Sequence, residues 1–566
     1  MLKKDKIKIT WENIKNSDAG MYLCIALIAV IVFIKIYGIN VLKPTYVDWL
    51  MAGGDLSQHY LGWLAYRASK WHFPIGMVDM LAYPYKTSII FTDSIPIFAL
   101  FFKIFSPILP NKFQYFGLWG ICCFMLQGLF AGRIIRHKTE SKLITVVAST
   151  LFLFTPVMIC RMYGHTALAG QWIIIYALDI VLNPDKYQSK KKIYTTIAAM
   201  GFLSASIHLY FVLMNGIVLT GYIIIDFLSQ KKFKRSLFSL ATYLVSIASA
   251  VYIFGGFNMN GISAYEGGLG YYSFNLNNFV NPQGWSKIFK DLALCDARQY
   301  EGFAYLGAGI ILLTFLAIYS CLILHKKMPN VKKIVVKEKN IQIIAISVVF
   351  ILSIIISMSP TVTIGNTVLA EFRLPNIIIA MWSIFRSSGR IVWVAVYLIM
   401  FLAIFSLLKV GRKKLICLIL GLLSILQIYD ISDILTQKYA QFKDKTEYQT
   451  LLTTTDFWNQ LANNKEIKHI LYYSYIDQNM MYSITNWALE NGKTLNDFYF
   501  ARSMHNAVSQ NREQGLSVLL ADTIYIFSTN DWAACSACKQ YNLHYYSIDD
   551  LIVGCVNAID GFSEIK

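Results

Sequence analysis

The chain has 566 residues, of which 56% are hydrophobic, and it carries a formal net charge of +18. A soluble protein of this size does not need so large an apolar fraction, so the composition favours a membrane protein. The positive charge lies in short loops between apolar segments rather than in a stripe on one domain, which excludes a nucleic-acid-binding surface.

Eleven apolar segments between Met21 and Asp430 predict a polytopic α-helical membrane domain over residues 21–430. A membrane span needs about 20 apolar residues, and the first segment is long enough to remain as a span instead of being cleaved as a signal peptide. The predicted spans are approximately 21–42, 115–135, 143–160, 171–183, 193–210, 211–228, 237–256, 303–324, 341–358, 391–409 and 415–430.

Six short segments hold about half of the chain's 51 Lys and Arg residues, and they alternate with longer, less basic ones. Short basic loops stay in the cytoplasm, so residues 1–20 are expected to be a cytoplasmic N-terminal segment. The other predicted inner segments are 136–142, 185–192, 231–235, 325–339 and 409–414. Residues 43–114, 161–170, 257–302 and 359–390 then lie outside, and the Lys- and Ile-rich composition favours a bacterial plasma membrane.

One apolar run decides this topology. Ile95–Leu109 is short, contains Lys103 and is closed by two prolines. A span of about 20 residues without a central charge is not available there, so we expect an interfacial or re-entrant helix. A crossing at this point would place every later basic loop outside.

Residues 431–566 are predicted to form an α/β domain on the outer side. Apolar runs such as His469–Tyr473 and Thr523–Ser528 alternate with helical patterns, which is typical of this class. Cys535 and Cys538 form a CxxC motif, but a second pair of metal ligands is missing. A local disulfide and two free thiols both remain open.

The first outer segment contains two candidate catalytic acids, Asp55 within Gly53-Gly54-Asp55-Leu56-Ser57-Gln58-His59-Tyr60, and Asp93. A carboxylate at the membrane edge costs solvation energy unless a partner or a function holds it. The alternative is structural, because each Asp could cap the helix that follows it.

Polar residues recur at the ends of other predicted outer segments. Taken singly, such residues have structural explanations, since an Arg at a membrane boundary often reaches towards the headgroups. Together they suit a lipid-linked phosphosugar, because guanidinium groups bind phosphate and a carboxylate can deprotonate an acceptor hydroxyl. The candidate substrate-binding residues are Gln58, His59, Arg161, His165, His208, Arg298, Glu301, Arg386 and Arg390. Nucleotide-binding glycine motifs are absent.

Three motifs resemble the GT-C superfamily of polytopic glycosyltransferases, in particular the YfhO-type bacterial enzymes. They are Gly54–Tyr60, Tyr300-Glu301-Gly302-Phe303 with Tyr305-Leu306-Gly307, and Phe385-Arg386 with Gly389-Arg390; the likeness covers about residues 21–430.

The resemblance implies that Asp55 is the base for the acceptor hydroxyl, and that Arg386 and Arg390 hold the phosphate of a polyprenyl-phosphate-linked sugar. The acceptor would be a cell-surface glycan, and the anomeric centre would be inverted. Many members carry two adjacent acids where this chain has Asp55 alone, so the second acid is Asp93 or Glu301. We assign no metal ligand, and the resemblance leaves a divalent cation open.

Two other classes of function fit many spans with polar clusters. The first is a lipid or sugar transporter or flippase, although such proteins usually place charged residues near the bilayer midplane and show repeated halves. The second is a non-catalytic scaffold for polymer assembly, which would not need to retain Asp55 and the two arginines. We expect a glycosyltransferase in preference to both.

Overall fold

The computed structural model describes residues 17–230, 233–258, 269–327, 333–501, 518–531 and 534–565. Helices dominate the first three quarters of the chain. They are α1 Ala19–Tyr37, α2 Gly54–Ala68, α3 Pro96–Ile104, α4 Phe116–Arg136, α5 Lys142–Leu153, α6 Pro156–Arg161, α7 Trp172–Leu182, α8 Lys190–Ile207, α9 Tyr210–Gln230, α10 Phe233–Ile253, α11 Ala308–Lys327, α12 Lys333–Met358, α13 Asn376–Ser383, α14 Trp393–Leu408, α15 Lys413–Asp430 and α16 Ser432–Lys443.

Within the described residues, six helices are long and apolar enough to cross a membrane, and α15 with α16 makes a seventh if that bent pair is one span. The protein is therefore a polytopic helical membrane protein, but the predicted number of eleven spans is not confirmed. Three predicted spans correspond to shorter apolar helices: Lys142–Leu153, Thr166–Leu182 and Ala308–Ser320. The predicted span 143–160 is interrupted because Pro156 starts a new helix, α6.

Three of the predicted inner segments, 1–20, 136–142 and 185–192, are joined by contacts between their side chains and backbone. Arg136 pairs with Asp18 at 3.1 Å, and His137 pairs with Asp185 at 2.6 Å. The Lys142 ammonium group donates to the backbone carbonyl of Ser17. This grouping agrees with the alternation in the sequence, whereas the side that faces the cytoplasm remains a prediction. Residues 1–16, 231–232 and 328–332 of these segments lie outside the described ranges.

The run Ile95–Leu109 forms the nine-residue helix α3 and a short 3-10 helix. Nine helical residues rise about 14 Å, which is half of the hydrocarbon thickness. Lys103 is 4% exposed, and its ammonium group lies 4.1 Å from the centre of the Tyr66 ring. Aromatic rings therefore stabilise the ammonium group of Lys103, the charge on which the prediction of a non-spanning helix partly rests.

The C-terminal region contains a five-stranded sheet. Its strands are β5 His469–Tyr472, β6 Thr494–Leu495, β7 Thr523–Ser528, β8 His544–Ile548 and β9 Leu551–Cys555, in the order β6-β5-β7-β9-β8. Its helices are α17 Thr455–Asn463, α18 Gln478–Glu490 and α19 Ala534–Gln540. Strand β5 is parallel to β6 and β7, and β9 is antiparallel to its two neighbours.

Earlier in the chain, two hairpins pair β1 Met77–Val78 with β2 Thr87–Ser88, and β3 Thr361–Ile364 with β4 Thr367–Glu371. Cys535 and Cys538 are free thiols.

The C-terminal region is joined to the first outer segment by backbone hydrogen bonds. The Leu495 amide donates to the carbonyl of Met80, and the Tyr83 amide donates back to the carbonyl of Leu495. The Tyr482 hydroxyl donates to the carbonyl of Gly54, at the start of α2. These bonds place the sheet directly beside the loop that carries the predicted acids. The predicted domain boundary at Ile431 remains a prediction.

Candidate active site

Two glycines bring Asp55 to the start of α2. Gly53 and Gly54 have φ of 92° and 57°, a left-handed region that glycine enters without steric cost. Gly53 occupies the N-cap position without a side-chain cap bond, and Asp55 lies in the first turn of the helix. The capping interpretation of Asp55 is therefore wrong, although the helix dipole still favours a carboxylate there.

Asp93 lies on a strained turn. Asp93 and Ile95 both have φ of 53°, which is costly for a β-branched residue such as Ile95. The Ser94 hydroxyl donates to the carbonyl of His59 and contacts the Thr92 hydroxyl at 2.8 Å, while the Tyr115 hydroxyl donates to the carbonyl of Ser94. Ile95 is the N-cap of α3, so the predicted capping role of Asp93 is also wrong.

A glycine on α2 lets this turn approach the helix. A Cβ at Gly62 would lie 2.4 Å from the Cβ of Thr92 and 2.6 Å from the Ser94 hydroxyl. Real Cβ atoms do not approach other atoms so closely, so the helix and the turn can be in contact only with glycine at this position. The contact fixes the distance between the segments that carry Asp55 and Asp93.

Each of the two acids faces a histidine. The Nε2 atom of His165 lies 3.3 Å from the Asp55 carboxylate, and the Nε2 atom of His208 lies 3.5 Å from the Asp93 carboxylate. The Nδ1 atom of His208 accepts a hydrogen bond from the Tyr210 amide at 3.2 Å. A neutral His208 ring therefore carries its proton on Nε2, directed at Asp93.

Burial changes the acid–base properties of this cluster. It raises the pKa of Asp93 to about 7, and the charge of Asp55 adds to the shift. Burial also raises the pKa of Asp55, but Arg390 opposes that shift. The pKa of His165 is lowered well below its usual value by burial together with Arg390 and Arg161. Near neutral pH the ring of His165 is thus uncharged.

Glu301 is held by two arginines. Arg390 binds its carboxylate with two hydrogen bonds, at 2.8 and 2.9 Å, and Arg161 pairs with it at 2.9 Å. All three side chains are buried. Burial alone would raise the pKa of Glu301, but Arg390 and Arg161 outweigh it and hold the pKa well below its ordinary range.

Close glycine contact makes this clamp possible. A Cβ at Gly389 would lie 2.6 Å from the Cα of Gly302. The two glycines directly adjoin Arg390 and Glu301 in the sequence, so their contact lets the two charged residues meet. The motifs Tyr300–Phe303 and Phe385–Arg390 are therefore two halves of one structural unit.

A cavity of about 820 Å³ opens where these segments meet. Its polar wall contains both Asp–His pairs with Gln58, Arg386 and Arg390, and its apolar wall comes from α8, α9 and α10. The lining residues are Asp55, Gln58, Ile90, Phe91, Asp93, Pro96, His165, Ala205, Ile207, His208, Leu209, Tyr210, Val212, Ile247, Ser383, Ile384, Phe385, Arg386, Ser387, Arg390, Tyr499, Phe500 and Ala501. Seven of the eleven predicted site residues therefore line this cavity.

Four predicted site residues lie elsewhere. Arg161 and Glu301 are packed behind the cavity, so neither is placed to contact a substrate directly. His59 is 1% exposed, contacts the Thr166 hydroxyl at 3.3 Å and stacks on Phe116. Arg298 is exposed and pairs with Asp296 two residues away at 2.7 Å. We therefore leave these four out of the substrate-contacting set.

Three cavity residues come from the C-terminal region and were not anticipated. They are Tyr499, Phe500 and Ala501, and the Ala501 amide donates to the carbonyl of Phe91. The sequence marks Phe498–Phe500 only as an apolar run. Nothing in that run reveals that it docks on a loop some 400 residues earlier.

Among the residues that the structure describes, no group of three or more His, Cys, Asp and Glu side chains is placed to hold a metal ion. The two Asp–His pairs each offer one carboxylate and one imidazole. We derive no step through a divalent cation.

Comparison with protein families places the chain. Residues 26–432 match a family described as a domain of unknown function, DUF6311, and residues 457–557 match the DUF6311 C-terminal domain. The chain belongs to the DUF6311 family. Both acids and both arginines of the cavity fall in the larger DUF6311 region, whereas Tyr499 and Phe500 fall in the C-terminal one. The cavity thus joins both parts of this DUF6311 protein.

The structure is similar to archaeal oligosaccharyltransferases. One is AglB from Archaeoglobus fulgidus in complex with an inhibitory peptide and a dolichol-phosphate, with a TM-score of 0.47, 11% identity, and coverage of 95% of this chain and 74% of that chain. Another is the A. fulgidus enzyme tethered to an acceptor peptide, with a TM-score of 0.44, 10% identity and the same coverage. The search of curated proteins found no match. Similarity of this extent does not extend to function.

Proposed function

We propose that this DUF6311 protein is an inverting membrane glycosyltransferase. It transfers a sugar from a polyprenyl-phosphate donor to a hydroxyl group of a cell-surface glycan on the outer face. The observation that carries the proposal is the composition of the cavity described above. It combines two carboxylates, each paired with a histidine, two arginines and an apolar wall.

The donor fits the side of the cavity that adjoins the membrane helices. Ile207, Leu209, Val212 and Ile247 line it, and all four belong to or adjoin α8, α9 and α10. A polyprenyl tail would lie on this surface, since apolar surface buried there is removed from water. Its phosphate would then reach Arg386, whose side chain is exposed and lines the cavity.

Arg390 acts differently from Arg386. Two of its guanidinium nitrogens are engaged by Glu301, so it cannot bind phosphate through that same edge. It still lines the cavity and lies over the Tyr210 ring at 4.9 Å. Its charge would stabilise the negative charge that develops on the departing phosphate, from a position that Glu301 fixes.

The acceptor fits around Asp55 and Gln58. Asp55 would take the proton of the attacking hydroxyl, and neutral His165 would orient its carboxylate. The Nε2 atom of Gln58 is buried and has no hydrogen-bond acceptor within the described structure. A buried donor without a partner is costly, and a sugar hydroxyl in the cavity would satisfy it.

In this reaction the acceptor oxygen bonds to the anomeric carbon as the bond from that carbon to the phosphate oxygen breaks. One displacement inverts the anomeric centre, so no covalent sugar–enzyme intermediate is needed. The geometry fits, because one carboxylate serves as base and a separate cationic region receives the leaving group.

The test uses the full-length protein in lipid nanodiscs with a panel of radiolabelled polyprenyl-phosphate hexoses and a fraction of cell-surface glycans. We expect label to enter the glycan with at least one donor, and Asp55→Asn to slow the transfer by about 10²–10⁴-fold. The matched control is Asp48→Asn, since Asp48 lies in the same outer segment but does not line the cavity. If the protein instead moves the donor across proteoliposome membranes without transferring sugar, it is a flippase and the proposal is wrong.

A further inference from the structure

The cavity holds two Asp–His pairs, although an inverting transfer needs only one base. We propose that Asp93 is the general acid of the reaction, donating a proton to the departing lipid phosphate, and that His208 is its positioning residue. This assignment rests on the proposed function and gives the two carboxylates different roles, with Asp55 as the base and Asp93 as the acid.

The surroundings of the two acids differ in a way that favours this division. Asp55 lies in the first turn of α2, where the helix dipole stabilises an anion. Burial, with a contribution from Glu301, raises its pKa, and three arginines oppose that rise. Asp93 has one opposing cation, Arg390, and is raised further by Asp55. Two carboxylates in environments that separate their proton affinities provide a base and an acid in one site.

The groups that face Asp93 come from several elements. Asp55 comes from α2, His208 from the α8–α9 connection and Arg390 from the segment before α14. Its pKa of about 7 leaves a large protonated fraction at neutral pH. Asp55 ionises first, because the cations nearest to it are more numerous. The proton that the pair retains below about pH 7 is then mainly on Asp93.

A purely structural role explains Asp93 less well. It does not cap α3, and within the described residues its carboxylate has one ion-pair partner, His208. The turn that carries it is held by Thr92, Ser94 and Tyr115, so the fold does not depend on the carboxylate. The strained turn places the Asp93 side chain in the cavity, against His208, which lies between Ile207 and Leu209 of the apolar wall.

The proton balance closes. The acceptor hydroxyl gives its proton to Asp55, and its oxygen forms the bond to the anomeric carbon. The bond from that carbon to the phosphate oxygen breaks, its electron pair stays on the oxygen, and Asp93 supplies a proton to the phosphate. The His208 Nε2–H then stabilises ionised Asp93. Each turnover moves one proton from acceptor to product phosphate, and Asp93 is reprotonated from Asp55 through water or directly.

The experiment compares two donors that differ in leaving group. One is the ordinary polyprenyl-phosphate sugar. In the other, a difluoromethylene group replaces the oxygen between lipid and phosphorus. The group that leaves from this donor is a phosphonate, which is less basic than the ordinary lipid phosphate. We expect Asp93→Asn to lower kcat by about 10²–10³-fold with the ordinary donor and by less than about 10-fold with the fluorinated one. His208→Gln should follow the same pattern with smaller losses, and Asp55→Asn should fail with both donors.

The wild-type protein supplies a measurement that does not depend on the folding of a variant. With the ordinary donor, kcat should fall as the pH rises through about 7, because Asp93 loses its proton, and this alkaline limb should weaken with the fluorinated donor. Equal losses for Asp93→Asn with both donors, or an alkaline limb that is the same for both, would overturn the acid assignment. Wild-type protein that transfers sugar from neither donor overturns the proposed function itself.

Discussion

At the scale of single residues, the charged groups fall into two classes. Arg386 and the two Asp–His pairs line the cavity and can meet a substrate. Arg161 and Glu301 are buried behind it, where Arg161 pairs with Glu301 and Glu301 holds Arg390 in place. Sequence position does not distinguish the classes, because all of these residues lie in predicted outer segments or at the ends of predicted spans.

Glu301→Gln should destabilise the fold. The substitution leaves two buried guanidinium groups without their anion, and breaking a buried ion pair costs about 3–5 kcal/mol. We expect a clear fall in the thermal unfolding temperature of the protein in detergent. Arg298→Gln is the control, because its pair with Asp296 is on the surface, and it should leave the temperature unchanged. Equal temperatures for Glu301→Gln and wild type would show that the clamp does not stabilise the fold.

Arg386→Gln should weaken donor binding without affecting stability. The side chain is exposed at the cavity rim, so its loss should raise KM for the polyprenyl-phosphate donor by about 10-fold or more, since a charge-assisted phosphate contact contributes roughly 1.5–3 kcal/mol. Steady-state kinetics against donor concentration measure the effect. Arg373→Gln is the matched control from the same outer segment. An unchanged KM in Arg386→Gln would remove this residue from the donor site.

At the scale of elements, the sequence predicts the long helices well and the broken ones poorly. The predicted span 115–135 corresponds to α4 Phe116–Arg136, because a long apolar run leaves the chain few alternatives in lipid. The run 143–160 is apolar throughout, yet Pro156 divides it. Apolar content alone does not reveal such a break.

Turns that depend on close packing are equally hidden in the sequence. Asp93 looks like a helix cap because a helix follows it, but the turn is left-handed at two residues and is held by contacts from α2 and Tyr115. Likewise, the partner of Glu301 lies 89 residues further along the chain. The sequence predicts which segments carry the polar residues of the cavity, such as Asp55, Asp93 and Arg390. Tertiary contacts decide which of the side chains pair.

Gly62→Ala should separate α2 from the Asp93 turn. The new methyl group would lie 2.4 Å from the Thr92 Cβ, so the turn must move and Asp93 must leave its position facing Asp55. We expect transfer activity to fall by at least about 10²-fold while the protein still inserts in the membrane. Gly421→Ala on α15 is the control, because nothing lies within 4 Å of its Cβ. Normal activity in Gly62→Ala would mean that the spacing of the acids is not critical.

At the scale of the whole molecule, the connecting segments fall into two groups. The described parts of the basic segments 1–20, 136–142 and 185–192 contact one another. The longer segments converge on the cavity, which the C-terminal region borders with Tyr499 and Phe500. The proposal requires that the cavity group is the extracytoplasmic one.

Cysteine labelling tests this orientation. In a Cys295→Ser background, Lys290→Cys and Glu140→Cys place thiols at exposed positions of the two groups. A membrane-impermeant maleimide should label position 290 in intact cells, and position 140 only after permeabilisation. The reverse pattern would place the cavity in the cytoplasm, where lipid-linked donors of the outer leaflet cannot reach it.

The role of Asp55 is the centre of this account, and single-turnover transfer from the active polyprenyl-phosphate donor tests it most directly. With saturating donor and acceptor, Asp55→Asn should transfer sugar about 10²–10⁴-fold more slowly than wild type, while Asp48→Asn matches wild type and all three proteins unfold at similar temperatures. Transfer by Asp55→Asn at the wild-type rate would contradict the account, because the reaction would then proceed without the Asp55 carboxylate as its base.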